Sequence, residues 1–122
     1  MKIAIRTKNL ELTPAIQDFI EEKFNSVSKV FGILQKNEEE FKKTLDEVFI
    51  ELEKETRHHL KGDIFCVKSK IHLPGKTIIA EEKSDDLYKS IVACKDEMKM
   101  EVEKYKLKNI DKHRRPQMKE SH

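Results

Sequence analysis

Leu87, Ile91, Cys94, Met98, Val102 and Tyr105 recur at steps of four, three, four, four and three residues. That spacing puts one apolar stripe along a helix of at least five turns and leaves most of the remaining positions to polar and charged residues. A helix with one apolar face must bury it against something flat. The chain supplies a second helix of the same kind, with Ile16, Phe19, Ile20, Phe24, Val27 and Phe31 on one side and Glu21, Glu22, Asn25 and Ser28 on the other. Thr13 offers the capping hydroxyl and Pro14 fits the first turn, where a missing N–H costs nothing.

The flat partner is legible in the segments that alternate. Ile3 and Ile5 alternate with Lys2, Ala4 and Arg6, giving a strand over residues 2 to 7. Val48, Ile50 and Leu52 alternate with Phe49, Glu51 and Glu53. From Ile64 to Leu73, Phe65, Val67, Ile71 and Leu73 turn inward and Lys68, Lys70 and His72 outward. Pro74-Gly75 supplies a tight turn, and Thr77 to Glu82 returns as a fourth strand. Ser84 is the expected cap of the last helix, with Asp85 and Asp86 complementing its positive end.

The expected order is therefore β-α-β-β-β-α, a two-layer α+β fold in which a four-stranded mixed sheet carries both helices on one face. The last three strands form an antiparallel meander. The first strand reaches the second through a helix, which makes those two parallel neighbours. Residues 32–47 and 57–64 read as solvated connections, the first with a possible helical turn over 41–45. The last stripe ends near residue 108. A domain of residues 1–108 followed by a basic, flexible tail of 109–122 is the expected organisation, with one domain's worth of core in 122 residues.

Charge divides unevenly along the chain. Residues 1–60 hold 10 Lys or Arg against 12 Asp or Glu, and residues 61–122 hold 15 against 11. From Lys104 to Lys119 there are seven cations and one anion, a composition suited to a polyanion. Three basic sets follow. Lys95, Lys99 and Lys106 form a stripe beside Tyr88 on the last helix. Lys68, Lys70 and His72 lie on the outer face of the third strand, near Lys2 and Arg6. The tail carries Arg114 and Arg115. Each has a bland counterpart: a solvated helix flank, a merely soluble sheet face and a solubilising end.

Other chemistries are poorly served. Gly32, Gly62 and Gly75 form no phosphate-cradling loop. His58 and His59 are adjacent, so on an extended segment they point to opposite sides and cannot chelate together. Cys66 and Cys94 read as packing residues without further metal ligands. Neither a membrane-length apolar run nor a signal-like start is present. A cytoplasmic protein, without metal, cofactor, small-molecule substrate or catalysis, and monomeric when free, is the expectation.

Three blocks together resemble the ribosome hibernation promoting factor and ribosome-associated inhibitor family, in its short form. They are Ile5-Arg6 with Asn9-Leu10-Glu11-Leu12-Thr13-Pro14-Ala15-Ile16 and Glu22-Lys23-Phe24; His72-Leu73-Pro74-Gly75-Lys76-Thr77 with Ala80-Glu81-Glu82 and Ser84-Asp85-Asp86-Leu87-Tyr88; and Lys104-Tyr105-Lys106. They span most of residues 3 to 106. The resemblance implies the same β-α-β-β-β-α fold and binding in the mRNA and tRNA channel of the small ribosomal subunit, where occupancy blocks translation through contacts with rRNA. Gln17, Glu97, Met100 and Glu103 stand where the family commonly carries Arg or Lys. The expected rRNA contacts therefore fall on Lys95, Lys99, Lys104, Lys106 and Lys108, with Lys23, Lys29 and Lys76, and on Lys68, Lys70 and His72. Competing readings are a structured-RNA binder acting off the ribosome and a protein-interaction regulator using the acidic stretch Glu38 to Asp46.

Overall fold

The computed structural model describes residues 2–33, 47–56, 62–73 and 75–120, with side chains described for 2–29, 47–56, 62–73 and 75–108. Its elements are β1 (Lys2–Lys8), α1 (Pro14–Ile33), β2 (Glu47–Thr56), β3 (Asp63–Leu73), β4 (Lys76–Ser84) and α2 (Leu87–Glu120). The readings of residues 34–46 and of Arg57-His58-His59 fall outside the described residues.

The sheet runs β1-β2-β3-β4 in space. β1 pairs parallel to β2, with Ile3 opposite Val48 and Ile5 opposite Ile50. β2, β3 and β4 form the antiparallel meander. This is the expected mixed sheet. Its inward positions meet both helices in one core: Ile20, Phe24 and Val27 of α1, Ile91, Cys94, Met98 and Val102 of α2, and Val48, Leu52, Val67, Ile71 and Ala80 of the strands are all fully buried. Each large side chain so removed from water contributes about 1.5–3 kcal/mol before the entropy of ordering is counted.

Local chemistry sets the boundaries. The Ile16 N–H donates to the Thr13 hydroxyl at 3.2 Å, so α1 starts where the Thr-Pro pair places it. Asn9 adopts φ 61°, a conformation Asn tolerates, and its side-chain amide reaches the Lys54 carbonyl at 3.4 Å. Gly75 takes φ 78° at the β3–β4 turn, which few other residues accept.

α2 corrects two readings. Its capping residue is Asp86, not Ser84: the Asp86 carboxylate accepts from the N–H groups of Tyr88 at 2.9 Å and Lys89 at 3.3 Å. Ser84 instead accepts from the Asp86 N–H at 3.2 Å, one step outside the helix. At its other end the helical backbone continues to Glu120, well past the expected end near 108. Residues 107–115 contain neither Gly nor Pro, so nothing in that stretch interrupts the backbone ladder, while Pro116, which has no N–H to donate, falls near the end of the element. At 34 residues α2 is roughly 51 Å long. An 11-residue strand spans only about 36 Å, so the helix outruns the sheet.

The two cysteines are free and play different parts. Cys94 lies in the core beside the Ser69 hydroxyl at 3.2 Å and donates to the Ala80 carbonyl at 3.4 Å. Burial pushes its thiol up to about 11. Cys66 faces the other side of the sheet, where its thiol donates to Glu81 at 3.7 Å. Burial, then the nearby Glu81 charge, raises it too. Cys66 is covered by long polar side chains, so only Cys94 is a core packing residue.

Candidate nucleic-acid interface

α1 and α2 lie side by side on the sheet. Their outer seam is closed by an edge-on contact between Phe19 and Tyr88, with ring centroids 4.8 Å apart and planes at 89°. Lys23 sits over the Phe19 ring at 5.3 Å. Tyr88 therefore fixes which flank of α2 faces α1. At ~100° per residue, Lys95, Lys99 and Lys106 fall within about 20° of Tyr88 on that flank.

The three lysines are not equally available. Lys95 has 17% of its side chain exposed and carries its ammonium outward to an ion pair with Asp96, whose side chain is 61% exposed. Lys99 is half-buried. Lys106 is buried at 6% exposure, and desolvation lowers its pKa while Glu103 works in the opposite direction. Its substitution would disturb packing, so it is neither a solvated flank residue nor a cation as open to a partner as the stripe suggests. It lies at the margin of the apolar stripe, where the wheel alone cannot reveal what covers a side chain.

The other flank of α2 has the opposite character. Glu97 and Glu101 face the β4 side, and a hydrogen bond with Glu82 raises the Glu97 carboxyl above its ordinary range, with partial burial and the charges of Glu82, Glu101 and Glu81 adding to the effect. Lys104 belongs here, not with the basic stripe: it is roughly 180° from Lys95 and pairs with Glu101 at 3.5 Å. Lys108 is exposed past the end of the core. Lys29 is exposed on α1, and Lys76 is exposed beside the β3–β4 turn. Arg114 and Arg115 lie on the outrunning part of α2, and their side chains are outside the described residues.

Lys68, Lys70 and His72 sit on the uncovered face of the sheet, separated by the sheet from the helix lysines. This face is not uniformly basic. Arg6, Glu51, Lys68 and Glu81 stand in one row across the four strands, alternating in sign. Lys8 pairs with Glu53 at 3.4 Å and Lys83 with Glu55 at 3.6 Å. The neighbouring row reads Ala4, Phe49, Lys70 and Ile79, with no carboxylate. Phe49 was legible as an outward residue, but nothing along the chain shows that pairing would set Lys70 against it.

Thus the structure separates the candidate contacts into a helix seam, with Lys23, Lys95 and Lys99, and a sheet face, with Lys68, Lys70 and His72. Among the described residues, no group of three or more His, Cys, Asp or Glu is placed to hold a metal ion. No helix among them is long and apolar enough to cross a membrane. The seam offers fixed cations and aromatic edges, which suit phosphate and ribose contacts better than base reading.

The sequence model of the sigma 54 modulation protein / S30EA ribosomal protein family matches residues 3–110. A ribosome hibernation promoting factor from Acinetobacter guillouiae is 29% identical over 111 residues, covering 91% of this chain and 92% of that protein. A ribosomal subunit interface protein from Coxiella burnetii superimposes with a TM-score of 0.63 at 23% identity, covering 88% of this chain and 99% of that one. The Protein Y N-terminal domain of Thermus thermophilus gives 0.61 at 23% identity over 86% and 99%. The two solved structures share the fold described above.

Proposed function

The chain belongs to the sigma 54 modulation protein / S30EA ribosomal protein family, and from that premise we propose that it is a ribosome hibernation factor that binds the small ribosomal subunit and inhibits translation. Its site is the channel that mRNA and tRNA otherwise occupy. It acts in the cytoplasm by steric exclusion, without a chemical step. Residues 1–108 are the binding body, and the basic stretch of 109–122, with Arg114 and Arg115, is a secondary contact.

The observation that carries this reading is the division of charge about α2. Lys95 and Lys99, with Lys23 across the seam, share one flank, while Glu97 and Glu101 are turned to the other. A protein docking on rRNA backbone needs its anions on the side away from the phosphates, because attraction to phosphate supplies most of the affinity. The rigid two-layer body adds the second requirement, a wedge whose shape persists without the ribosome.

Sedimentation tests the proposal. The purified protein should travel with small subunits and with whole ribosomes through a sucrose gradient, but not with isolated large subunits, and its binding should fall steeply as salt rises. It should also compete with initiator tRNA and mRNA for the small subunit and lower the yield of a cell-free translation reaction. A protein that stays at the top of the gradient refutes ribosome binding. Binding that leaves translation unaffected refutes the channel.

A further inference from the structure

The uncovered face of the sheet holds an arrangement that the helix seam does not account for. Phe49 is 43% exposed and Ile79 49% exposed, and both lie in the row Ala4–Phe49–Lys70–Ile79. The Phe49 ring stands edge-on to the His72 imidazole, with centroids 6.0 Å apart and planes at 72°. The imidazole is in turn tied to the Thr77 hydroxyl, with Nδ1 3.0 Å from Oγ1. Ala4, Arg6, Phe49, Glu51, Lys68, Lys70 and His72 line a shallow concavity around that ring.

The cations differ in how they are engaged. Lys8 and Lys83, toward one end of the face, close ion pairs with Glu53 and Glu55. Among the described residues, Arg6, Lys68 and Lys70 close none within 4.0 Å. These three line the concavity around the exposed phenyl ring. Lys68 and Lys70 are two residues apart on one strand, about 6.6 Å, a spacing comparable with that of successive phosphates in an extended single strand.

We propose that this face binds unpaired RNA, with a base stacked on Phe49 and the flanking phosphates held by Lys70, Lys68 and Arg6. Single-strand readers combine an aromatic platform with a cationic track, and stacking tolerates any base because each has a π-face. Ala4 is the reason a base has room: a small side chain beside Phe49 leaves the ring open toward the β1 edge. A duplex would not fit this use, since its bases are stacked on one another already. The face lies on the opposite side of the sheet from α1 and α2, so the protein would meet RNA on two sides. This reading does not depend on the helix seam.

The test uses the intact protein and a fluorescein-labelled single-stranded oligouridylate, followed by fluorescence anisotropy at low salt. Phe49→Leu keeps an apolar side chain of similar bulk but removes the ring, and Phe49→Tyr restores it. The proposal expects the single strand to bind, Phe49→Leu to weaken it about tenfold, Phe49→Tyr to bind as the parent does, and Lys70→Gln to weaken binding and reduce the salt slope by about 0.7. Lys95→Gln with Lys99→Gln should change it little. Circular dichroism and thermal melting establish that each variant is folded. Equal binding by parent and Phe49→Leu overturns the stacking site, as does equal binding of a duplex of the same length. Displacement of the RNA by polyglutamate at the same charge concentration as unlabelled RNA overturns it too, marking the face as one for acidic protein. Ribosome sedimentation of Phe49→Leu separates the two readings, since loss of oligouridylate binding with retained ribosome binding leaves the helix seam intact.

Discussion

The two flanks of α2 are built on the same helix, against the same core, and carry opposite charge. Toward α1, Tyr88 packs on Phe19 and is followed by Lys95 and Lys99, with Lys23 across the seam. Toward β4, Glu97 meets Glu82 and Glu101 holds Lys104. The first flank concentrates cations next to aromatic surface; the second gathers carboxylates closely enough that one of them is driven toward its protonated form. The comparison teaches that net charge is a poor guide to what this helix can bind. Lysines counted together along the sequence belong to two surfaces: Lys95 shares its flank with Lys99 and Lys23 and pairs there with the exposed Asp96, whereas Lys104 faces Glu101 on the other.

The core residue between the flanks gives the largest effect and should not discriminate between them. Met98 is fully buried, and Met98→Ala is expected to cost about 2–5 kcal/mol of stability in urea unfolding. The folded fraction should still bind ribosomes with the parent's affinity. Lost affinity in the folded protein would mean that seam geometry and core packing cannot be separated.

Next in size is the cationic flank itself. Lys95→Gln with Lys99→Gln should weaken small-subunit binding about tenfold at moderate salt and flatten its salt dependence by roughly 1.5 units. Circular dichroism should be unchanged. An unaltered salt slope would reduce this flank to an ordinary solvated one.

The acidic flank should respond in stability and not in affinity. Because the folded-state pKa of Glu97 is raised above its unfolded value, ionisation of Glu97 opposes folding at neutral pH. Lowering the pH through the folded pKa should therefore stabilise the protein through this group, with the gain complete below the unfolded value. Glu97→Gln should raise Tm at pH 7 by on the order of a degree or two, since a like-charge pair near the surface is a small effect. The advantage should shrink in melts at progressively lower pH. A lower Tm for the variant at pH 7 would show the pair to be a net stabiliser.

The smallest effect separates Lys104 from its sequence neighbours. With its ammonium already facing Glu101, Lys104→Gln should change ribosome affinity less than about twofold. An effect as large as that of the Lys95 and Lys99 pair would move the docking surface around the helix.

Much of the fold was legible because independent local signals agreed. Thr13 and Pro14 marked the start of α1, the steps of three and four from Leu87 to Tyr105 marked α2, alternation marked the first three strands, and the Pro74-Gly75 turn signal marked the fourth. What escaped were features set by neighbours distant in sequence. Lys106 sits at the edge of the stripe on a wheel, and its burial depends on what lies beside the helix. Phe49 alternates outward like Glu51, and only the pairing register reveals that its cross-strand partners are Ala4 and Lys70 and not carboxylates. The end of α2 escaped for another reason: the apolar stripe records where burial stops, whereas the helical backbone runs on past it to Glu120. As for the candidate site, the sequence separated the helix stripe from the sheet-face cations, but it could not show that Lys106 is buried or that Lys104 faces Glu101.

The parallel pairing of β1 with β2 has a consequence in time. Thirty-eight residues, 9–46, separate these strands, against six between β2 and β3 and two between β3 and β4. Closing the longer connection costs on the order of 1–2 kcal/mol more entropy than closing the six-residue one. The meander can therefore assemble before β1 finds its place. β1, made before the three strands of the meander, is then the last of the four to dock, and Ile3 and Ile5 must wait until β2 has been synthesised. Pulse-labelled hydrogen exchange during refolding should find the amides of β3 protected before those of β1. Simultaneous protection would mean that α1 carries β1 into place as a single unit.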